Sequence, residues 1–197
     1  MKKALVCGGG GFIGSHLVKR LKSEGFWVRA ADLKQPPFAP TVADEFMQGD
    51  LRDRGFANDV VAGGFDEIYQ FAADMGGAGF VFTGDNDADI MHNSASINLN
   101  VVEACVRHSC GRVFFASSAC VYPEHNQLDP SKLTMTEDSA FPAAPDSEYG
   151  WEKLFSERQC RHYYEDYGLE TRVVRRRADE IDDLAAAVQE CDEFSTV

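Results

Sequence analysis

The sequence predicts an α/β protein built around a doubly wound parallel sheet with helices on both faces. Two observations predict this class. Short apolar runs alternate with longer segments of helical periodicity from one end of the 197-residue chain to the other, which is the pattern of successive βαβ units. In addition, a cluster of glycines separates the first apolar run from the first helical segment, as in the Rossmann fold.

The first half of the chain supplies four predicted strands and one helix. Residues 3–7, KALVC, read as a buried strand, and residues 12–25 carry apolar side chains at helical spacing until a glycine ends the helix. The later strands are FWVRAADL (26–33), EFMQGDL (45–51) and EIYQFAA (67–73). The polar, glycine-punctuated stretch 52–64 is given neither a strand nor a helix.

The second half begins with a glycine-rich loop, DMGGAGF, at 74–80. A long helix is predicted over 90–108, followed by a fifth strand, RVFFASSA, over 112–119 and a loop with four prolines. A helix from about 149 to 167 and a sixth strand, ETRVVR, at 170–175 complete the alternation.

The composition changes at the end of the sixth strand. Residues 178–197 contain seven acidic residues and no basic one. We therefore expect a nucleotide-binding domain at 1–175 and a divergent acidic tail at 176–197, helical because its apolar residues fall on one face. This tail either covers one side of the sheet or contacts a second subunit.

Charge and cysteine content exclude several classes of function. A net charge of −13 repels nucleic acid and anionic membranes, so neither is expected as a partner. The six cysteines are scattered, with no CxxC pair and no metal-ligand spacing, which argues for a reducing compartment and against a metal site. No signal peptide and no membrane span is recognised, so we expect a cytoplasmic protein.

A dinucleotide site is predicted at the first glycine cluster. Gly8, Gly11 and Gly14 form the pattern GxxGxxG between a strand and a helix, where a pyrophosphate can approach the backbone and the free N–H groups of Phe12 and Ile13. Asp32, at the end of the second strand, is placed to accept both ribose hydroxyls of NAD and to repel the extra phosphate of NADP.

Asp50 and Leu51, at the end of the third strand, are candidates for the adenine pocket. A turn aspartate and a core leucine are the alternative interpretation of these two residues.

A second constellation suggests acid–base chemistry. Tyr149 and Lys153 are four residues apart on one helix face, and a cation held near a phenol lowers the pKa of that phenol. Ser118 lies at the end of the fifth strand and could hydrogen-bond a hydroxyl or ketone, whereas Ser117 is expected to be structural. Cys120, two residues further on, is a candidate for a reactive thiol.

The glycine pattern, the acidic residues, FAAD at 71–74, SSACVY at 117–122 and YxxxK occur in an order that resembles the extended short-chain dehydrogenase/reductase family. Within it, AADMGGAGF, SSACVYPE and YGWEKLFSE are similar to the subfamily of GDP-mannose 3,5-epimerases. The resemblance covers residues 3 to about 175. It implies that Ala72 and Ala73 contact NAD and that Met75, Gly76 and Gly77 line the sugar pocket.

The resemblance also implies roles for the second constellation. Tyr149 takes the proton of the sugar 4-hydroxyl, Lys153 holds the nicotinamide ribose, and Ser118 orients the 4-oxygen. Cys120 is the base that removes a proton next to the transient 4-ketone of a GDP-mannose-like nucleotide sugar. A homodimer is one candidate assembly, and the resemblance does not fix the number of subunits.

The resemblance stops before the end of the chain. No lysine follows Lys153, and the tail has no counterpart in the family. We therefore expect the second acid/base group and most of the substrate pocket to be absent, in a truncated or divergent product or in one that relies on a partner subunit. An NAD-binding module without turnover and a minimal dehydrogenase of small alcohols are the alternatives to the epimerase.

Overall fold

The chain folds around a six-stranded sheet in which every pairing is parallel. This structure is a computed structural model, and it describes residues 1–37, 39–76, 78–126 and 136–175. The strands are β1 (Lys3–Cys7), β2 (Trp27–Asp32), β3 (Glu45–Gln48), β4 (Glu67–Gln70), β5 (Arg112–Ala116) and β6 (Glu170–Val174). Their order across the sheet is β3-β2-β1-β4-β5-β6, the doubly wound order of the Rossmann fold.

Within the described ranges, five α-helices accompany the strands. They are α1 (Phe12–Ser23), α2 (Arg54–Val61), α3 (Ala78–Val81), α4 (Asp87–Arg107) and α5 (Glu148–Tyr167). Helix α2 is absent from our sequence prediction, which left 52–64 without an element. It begins where the carboxylate of Asp53 accepts a hydrogen bond from the backbone N–H of Phe56, and it buries Ala57, Val60 and Val61.

The core lies on both faces of the sheet, as the fold class requires. On one face, Leu17, Val18 and Leu21 of α1 pack against Val6 and Val28. On the other face, α2, α4 and α5 cover a larger cluster that includes Leu5, Ile68, Val101, Val113 and Phe115. The predicted α/β class, parallel sheet and two helical layers are therefore confirmed.

The predictions for the acidic tail concern residues 176–197, which lie outside the described residues. Among the helices that the structure does describe, none combines the length and apolar character needed to cross a bilayer.

Candidate active site

The predicted site residues gather at the carboxyl edge of the sheet. The strand order reverses between β1 and β4, and a crevice opens at such a switch point in doubly wound sheets. The glycine turn follows β1, Ala72 and Ala73 follow β4, and the serine–cysteine stretch follows β5. Sites predicted from distant parts of the chain are thus placed along one edge.

The turn after β1 accepts only glycine at two of the three predicted positions. Gly8 has φ +82°, and a Cβ atom on it would lie 2.8 Å from the backbone N of Ala72. A Cβ atom on Gly14 would lie 2.2 Å from the carbonyl oxygen of Gly8. At Gly11 the nearest atom would be the same carbonyl oxygen at 3.3 Å, so this position is the least crowded of the three.

The first turn of α1 offers unused backbone donors. Gly11 is the N-cap and has no side chain to satisfy them. Within the described residues, the N–H groups of Phe12, Ile13 and Gly14 donate to no backbone carbonyl. Free N–H groups at the positive end of a helix bind phosphate oxygens, so this turn fits a pyrophosphate.

Asp32, the last residue of β2, faces the same turn. Its carboxylate accepts hydrogen bonds from the backbone N–H of Gly10 at 3.0 Å and of Lys34 at 3.2 Å. One bond to each oxygen fixes the side chain and leaves lone pairs on both oxygens. The carboxylate can therefore accept the two hydroxyls of an adenosine ribose.

A cavity of about 270 Å³ adjoins Asp32. Its wall contains five of the predicted cofactor residues, namely Asp32, Asp50, Leu51, Ala72 and Ala73. The sequence did not single out its other lining residues, which are Leu33, Gly49, Arg52, Asp74, Asn93 and Ile97. Together with the glycine turn, this cavity fits a dinucleotide such as NAD, with the adenine end toward Asp50.

Hydrogen bonds tie this wall together. Arg52 binds both carboxylate oxygens of Asp50 and donates to the amide oxygen of Asn93 at 2.8 Å. Asn93 in turn donates to the carboxylate of Asp74 at 2.6 Å. The backbone N–H of Asp74 donates to the hydroxyl of Ser94 at 3.0 Å. The start of the 74–80 loop is thereby anchored to the adenine side of the cavity.

The two serines after β5 differ in their surroundings. Ser117 is buried and donates to the carboxylate of Glu157, as expected of a structural residue. Ser118 is half-buried and caps a short 3₁₀ turn, Ala119–Val121, by accepting a hydrogen bond from the backbone N–H of Cys120 at 3.2 Å. This turn directs Cys120 toward the start of α5.

Tyr149 and Lys153 lie on one face of α5 and are both almost completely buried. Tyr149 packs in a cluster with Val81, Ile90 and Cys120. The Lys153 Nζ atom lies 5.5 Å from the centre of the Tyr149 ring and 4.9 Å from that of Phe115. The structure therefore brings Ser118, Cys120, Tyr149 and Lys153 into one cluster.

The pKa directions correct one expectation from the sequence. Burial raises the pKa of the Tyr149 phenol, Cys120 and Glu152 add to the rise, and a hydrogen bond with Ser118 opposes it. Burial also raises the pKa of the Cys120 thiol, with a further contribution from Asp146 and an opposing one from Ser118. Burial lowers the pKa of Lys153. The lowered pKa that we expected for the phenol is therefore not produced by the surrounding protein, and the pKa of the Cys120 thiol is raised as well.

The loop assigned to the sugar begins with Met75 and Gly76, whose surroundings differ. Met75 is exposed, and a Cβ atom on Gly76 would lie 2.5 Å from that of Phe80. Glycine is thus needed at position 76 to admit Phe80, which packs beside Tyr149. Gly77 lies outside the described residues.

Two residues near the cluster were not predicted from the sequence as site residues. Asp146 interacts with the Cys120 thiol, and Glu152 is fully buried one position before Lys153. Glu152 could have been found, because a residue three positions after Tyr149 lies on the same helix face as Tyr149. No pattern in the sequence indicates Asp146.

The chain is similar to sugar-nucleotide epimerases over most of its length. It is 42% identical over 175 residues to GDP-mannose 3,5-epimerase of Arabidopsis thaliana, which covers 88% of this chain and 46% of that protein. It is 34% identical to UDP-glucose 4-epimerase of Neisseria meningitidis serogroup C, over 80% of this chain and 47% of that protein. The chain thus spans about half the length of the curated relatives it matches.

Solved structures agree with the sequence comparison. UDP-glucose 4-epimerase from Brucella ovis in complex with NAD superposes with a TM-score of 0.73 at 27% identity, covering 89% of this chain and 51% of that one. Residues 4–176 match the model of the NAD dependent epimerase/dehydratase family. The prediction of NAD is confirmed at the level of the family, and the glycine turn, Asp32 and the cavity fit that cofactor. The chain belongs to the NAD dependent epimerase/dehydratase family.

Proposed function

We propose that the chain binds NAD and belongs to a nucleotide-sugar epimerase that acts on a GDP-mannose-like substrate through a transient 4-keto sugar. In this proposal the chain carries the residues that assist oxidation of the sugar at carbon 4 and the base that removes a proton from a neighbouring carbon. The observation that supports this proposal is the cluster of Ser118, Cys120, Tyr149 and Lys153 beside the cofactor edge of the sheet. The similarity to GDP-mannose 3,5-epimerase over 88% of the chain points to the same substrate class.

The first step removes a proton from the sugar. Tyr149 takes the proton of the 4-hydroxyl as a phenolate, the form that the positive charge of bound NAD⁺ would favour against the effect of burial, and Ser118 holds the 4-oxygen by a hydrogen bond. NAD⁺, when bound, accepts the hydride from carbon 4. Within the described residues the ammonium of Lys153 makes no hydrogen bond, so its three donors are free for the nicotinamide ribose.

The second step uses the ketone so formed. A ketone at carbon 4 acidifies the hydrogens on carbons 3 and 5, because the electron pair left behind is delocalised onto the carbonyl oxygen. Cys120, as thiolate, takes one of these protons and becomes a thiol. Return of a proton to the opposite face inverts the carbon, and return of the hydride to carbon 4 restores the alcohol. The group that supplies this second proton is not assigned to the chain.

Deuterium exchange tests the proposal directly. The chain is incubated with NAD⁺ and GDP-mannose in deuterated water, and carbons 3 and 5 of the sugar are followed by NMR. We expect deuterium at one or both positions with the wild type and no incorporation with Cys120→Ser, which keeps the size of the side chain but is not ionised near neutral pH. A wild type that binds NAD and GDP-mannose but exchanges neither position would refute the assignment of Cys120.

A second candidate is an NAD-binding module without turnover. The observation in its favour is that burial raises the pKa of the Tyr149 phenol and of the Cys120 thiol, the two groups that must be deprotonated for turnover. Calorimetry separates the two, because the module binds NAD with no affinity for a sugar nucleotide. A homodimer and a cytoplasmic location stay predictions.

A further inference from the structure

A hydrogen-bonded network of buried polar side chains extends from β4 through α4 to α5. The Gln70 amide donates to the Asn98 oxygen at 2.6 Å, and the Asn98 amide donates to Glu152 Oε1 at 2.8 Å. The Ser156 hydroxyl donates to the same Glu152 oxygen at 2.7 Å. All four side chains are at most 1% exposed. At its other end, Gln70 donates to the carbonyl oxygen of Ala72 in the cofactor wall at 2.9 Å.

The carboxylate of Glu152, at the end of this network, has hydrogen bonds to only one of its two oxygens. Glu152 Oε1 accepts two hydrogen bonds, whereas within the described residues Oε2 has no partner. A buried carboxylate with incomplete hydrogen bonding is costly as an anion unless a cation lies near it.

The next residue on α5, Lys153, can supply that cation. Its side chain is buried, and within the described ranges it makes neither a hydrogen bond nor an ion pair. Burial lowers the pKa of Lys153, and Glu152, Cys160 and Glu157, all on α5, oppose this effect in that order. From β5 it is faced by the uncharged ring of Phe115.

The other titratable groups around Lys153 do not change charge near neutral pH. Burial raises the pKa of Cys160 to about 12 and also raises that of Tyr149, the further titratable neighbour on α5. Glu157 is held in an ion pair by Arg175. Asn98, which reaches Glu152 from α4, is not titratable.

We propose that Glu152 is a positioning residue whose buried carboxylate keeps Lys153 protonated beside Tyr149, while the Asn98 and Gln70 hydrogen bonds fix that charge relative to the cofactor wall. Its role in turnover rests on the function proposed above. The charge coupling itself is a property of the chain without any cofactor.

The coupling can be measured from the free energy of unfolding of the full chain without cofactor, between about pH 6 and pH 10, where model Glu is ionised and model Lys begins to titrate. Glu152→Gln keeps the acceptor oxygen but removes the charge. We expect its loss of stability to be largest at pH 6 and to shrink as the pH rises.

The sign follows from proton binding. The pKa of Lys153 is expected to be higher in the wild type than in Glu152→Gln. At pH values between these two pKa values the folded wild type binds more protons than the folded variant, so the difference in their free energies of unfolding falls as the pH rises. Ser156→Ala is the matched control, because it removes a hydrogen bond to Glu152 without changing charge, and its loss should be independent of pH. A loss for Glu152→Gln that is equally independent of pH would overturn the proposal.

A double variant covers the case in which Glu152→Gln does not fold. Removal of both buried charges in Glu152→Gln with Lys153→Met should restore stability relative to the single variant, since an unpaired buried ammonium is no longer present. A double variant that is no more stable than Glu152→Gln contradicts the coupling. NAD binding by the wild type is measured separately, so a failure there counts against the proposed function and leaves the outcome for Glu152 unchanged.

Discussion

Gly150 lies against the backbone of Cys120, so closely that a Cβ atom on Gly150 would stand 2.1 Å from the carbonyl oxygen of Cys120. The same Cβ atom would meet a side-chain atom of Pro145 at 2.9 Å. The first turn of α5 therefore sets where Cys120 sits relative to Tyr149. The missing side chain of Gly150 makes this contact possible.

Gly150→Ala should separate Cys120 from Tyr149. We expect the free energy of unfolding to fall by about 1–3 kcal/mol, because backbone atoms must move to admit the methyl group. Chemical denaturation measures this loss. Gly79→Ala is the control, since a Cβ atom there would meet nothing within 4 Å; equal stabilities of the two variants would show that the contact is not tight.

The reactivity of Cys120 should respond in opposite directions to its two polar neighbours. After burial, Asp146 raises the pKa of the thiol and the Ser118 hydrogen bond lowers it. Asp146→Asn should therefore speed alkylation of Cys120 by iodoacetamide at pH 8, and Ser118→Ala should slow it. Mass spectrometry of the Cys120 peptide gives the rate, with the buried Cys7 and Cys105 as internal references. The same direction in both variants would contradict the assigned contacts.

The glycine turn allows cofactor binding to be separated from stability. Gly14→Ala places a methyl group 2.2 Å from the carbonyl oxygen of Gly8, so it should lower both the melting temperature and NAD affinity. Gly11→Ala makes a much milder contact within the protein, 3.3 Å from the same oxygen, and its methyl group would also face a pyrophosphate bound at the helix terminus. We expect Gly11→Ala to lower the melting temperature far less than Gly14→Ala does, and to bind NAD at least tenfold more weakly, or about 1.4 kcal/mol, by calorimetry. Unchanged affinity in Gly11→Ala would place the cofactor elsewhere.

A buried ion pair should contribute strongly to stability. Arg175 donates two hydrogen bonds to Glu157, at 2.9 and 2.7 Å, and both side chains are 9% exposed. Glu157→Ala leaves Arg175 and the hydroxyl of Ser117 without this acceptor, and we expect a loss of about 3–5 kcal/mol in urea denaturation. Glu165→Ala, which removes an exposed pair with Arg161 on the same helix, should cause no measurable change. Comparable losses of stability in the two variants would mean that burial does not determine how much an ion pair contributes to the free energy of unfolding.

The sheet was predictable because its six strands are apolar runs between helices of clear periodicity. Their ends were less predictable. The strands predicted over 45–51, 67–73 and 112–119 end at Gln48, Gln70 and Ala116. The residues that follow them form the site loops and are themselves partly or fully buried, so hydrophobicity alone does not mark where the hydrogen-bonded ladder stops.

Helix α2 was missed for a related reason. Gly55 and several polar residues mask an apolar face made by Ala57, Val60 and Val61, and the start of the helix depends on a cap by Asp53. The contacts of Gly150 with Cys120 and of Glu152 with Asn98 join residues 30 or more positions apart. Spacing within one sequence predicts which residues share a helix face, whereas such contacts follow from how α5 packs on its neighbours.

The absence of basic side chains from the glycine turn has a consequence for how NAD binding depends on ionic strength. The turn offers neutral backbone N–H groups to a pyrophosphate, within a chain of net charge −13. Long-range repulsion of the anionic cofactor is screened by salt, whereas short hydrogen bonds from N–H groups are little affected. Added salt should therefore tighten NAD binding, opposite to the behaviour of sites that hold phosphate with lysine and arginine.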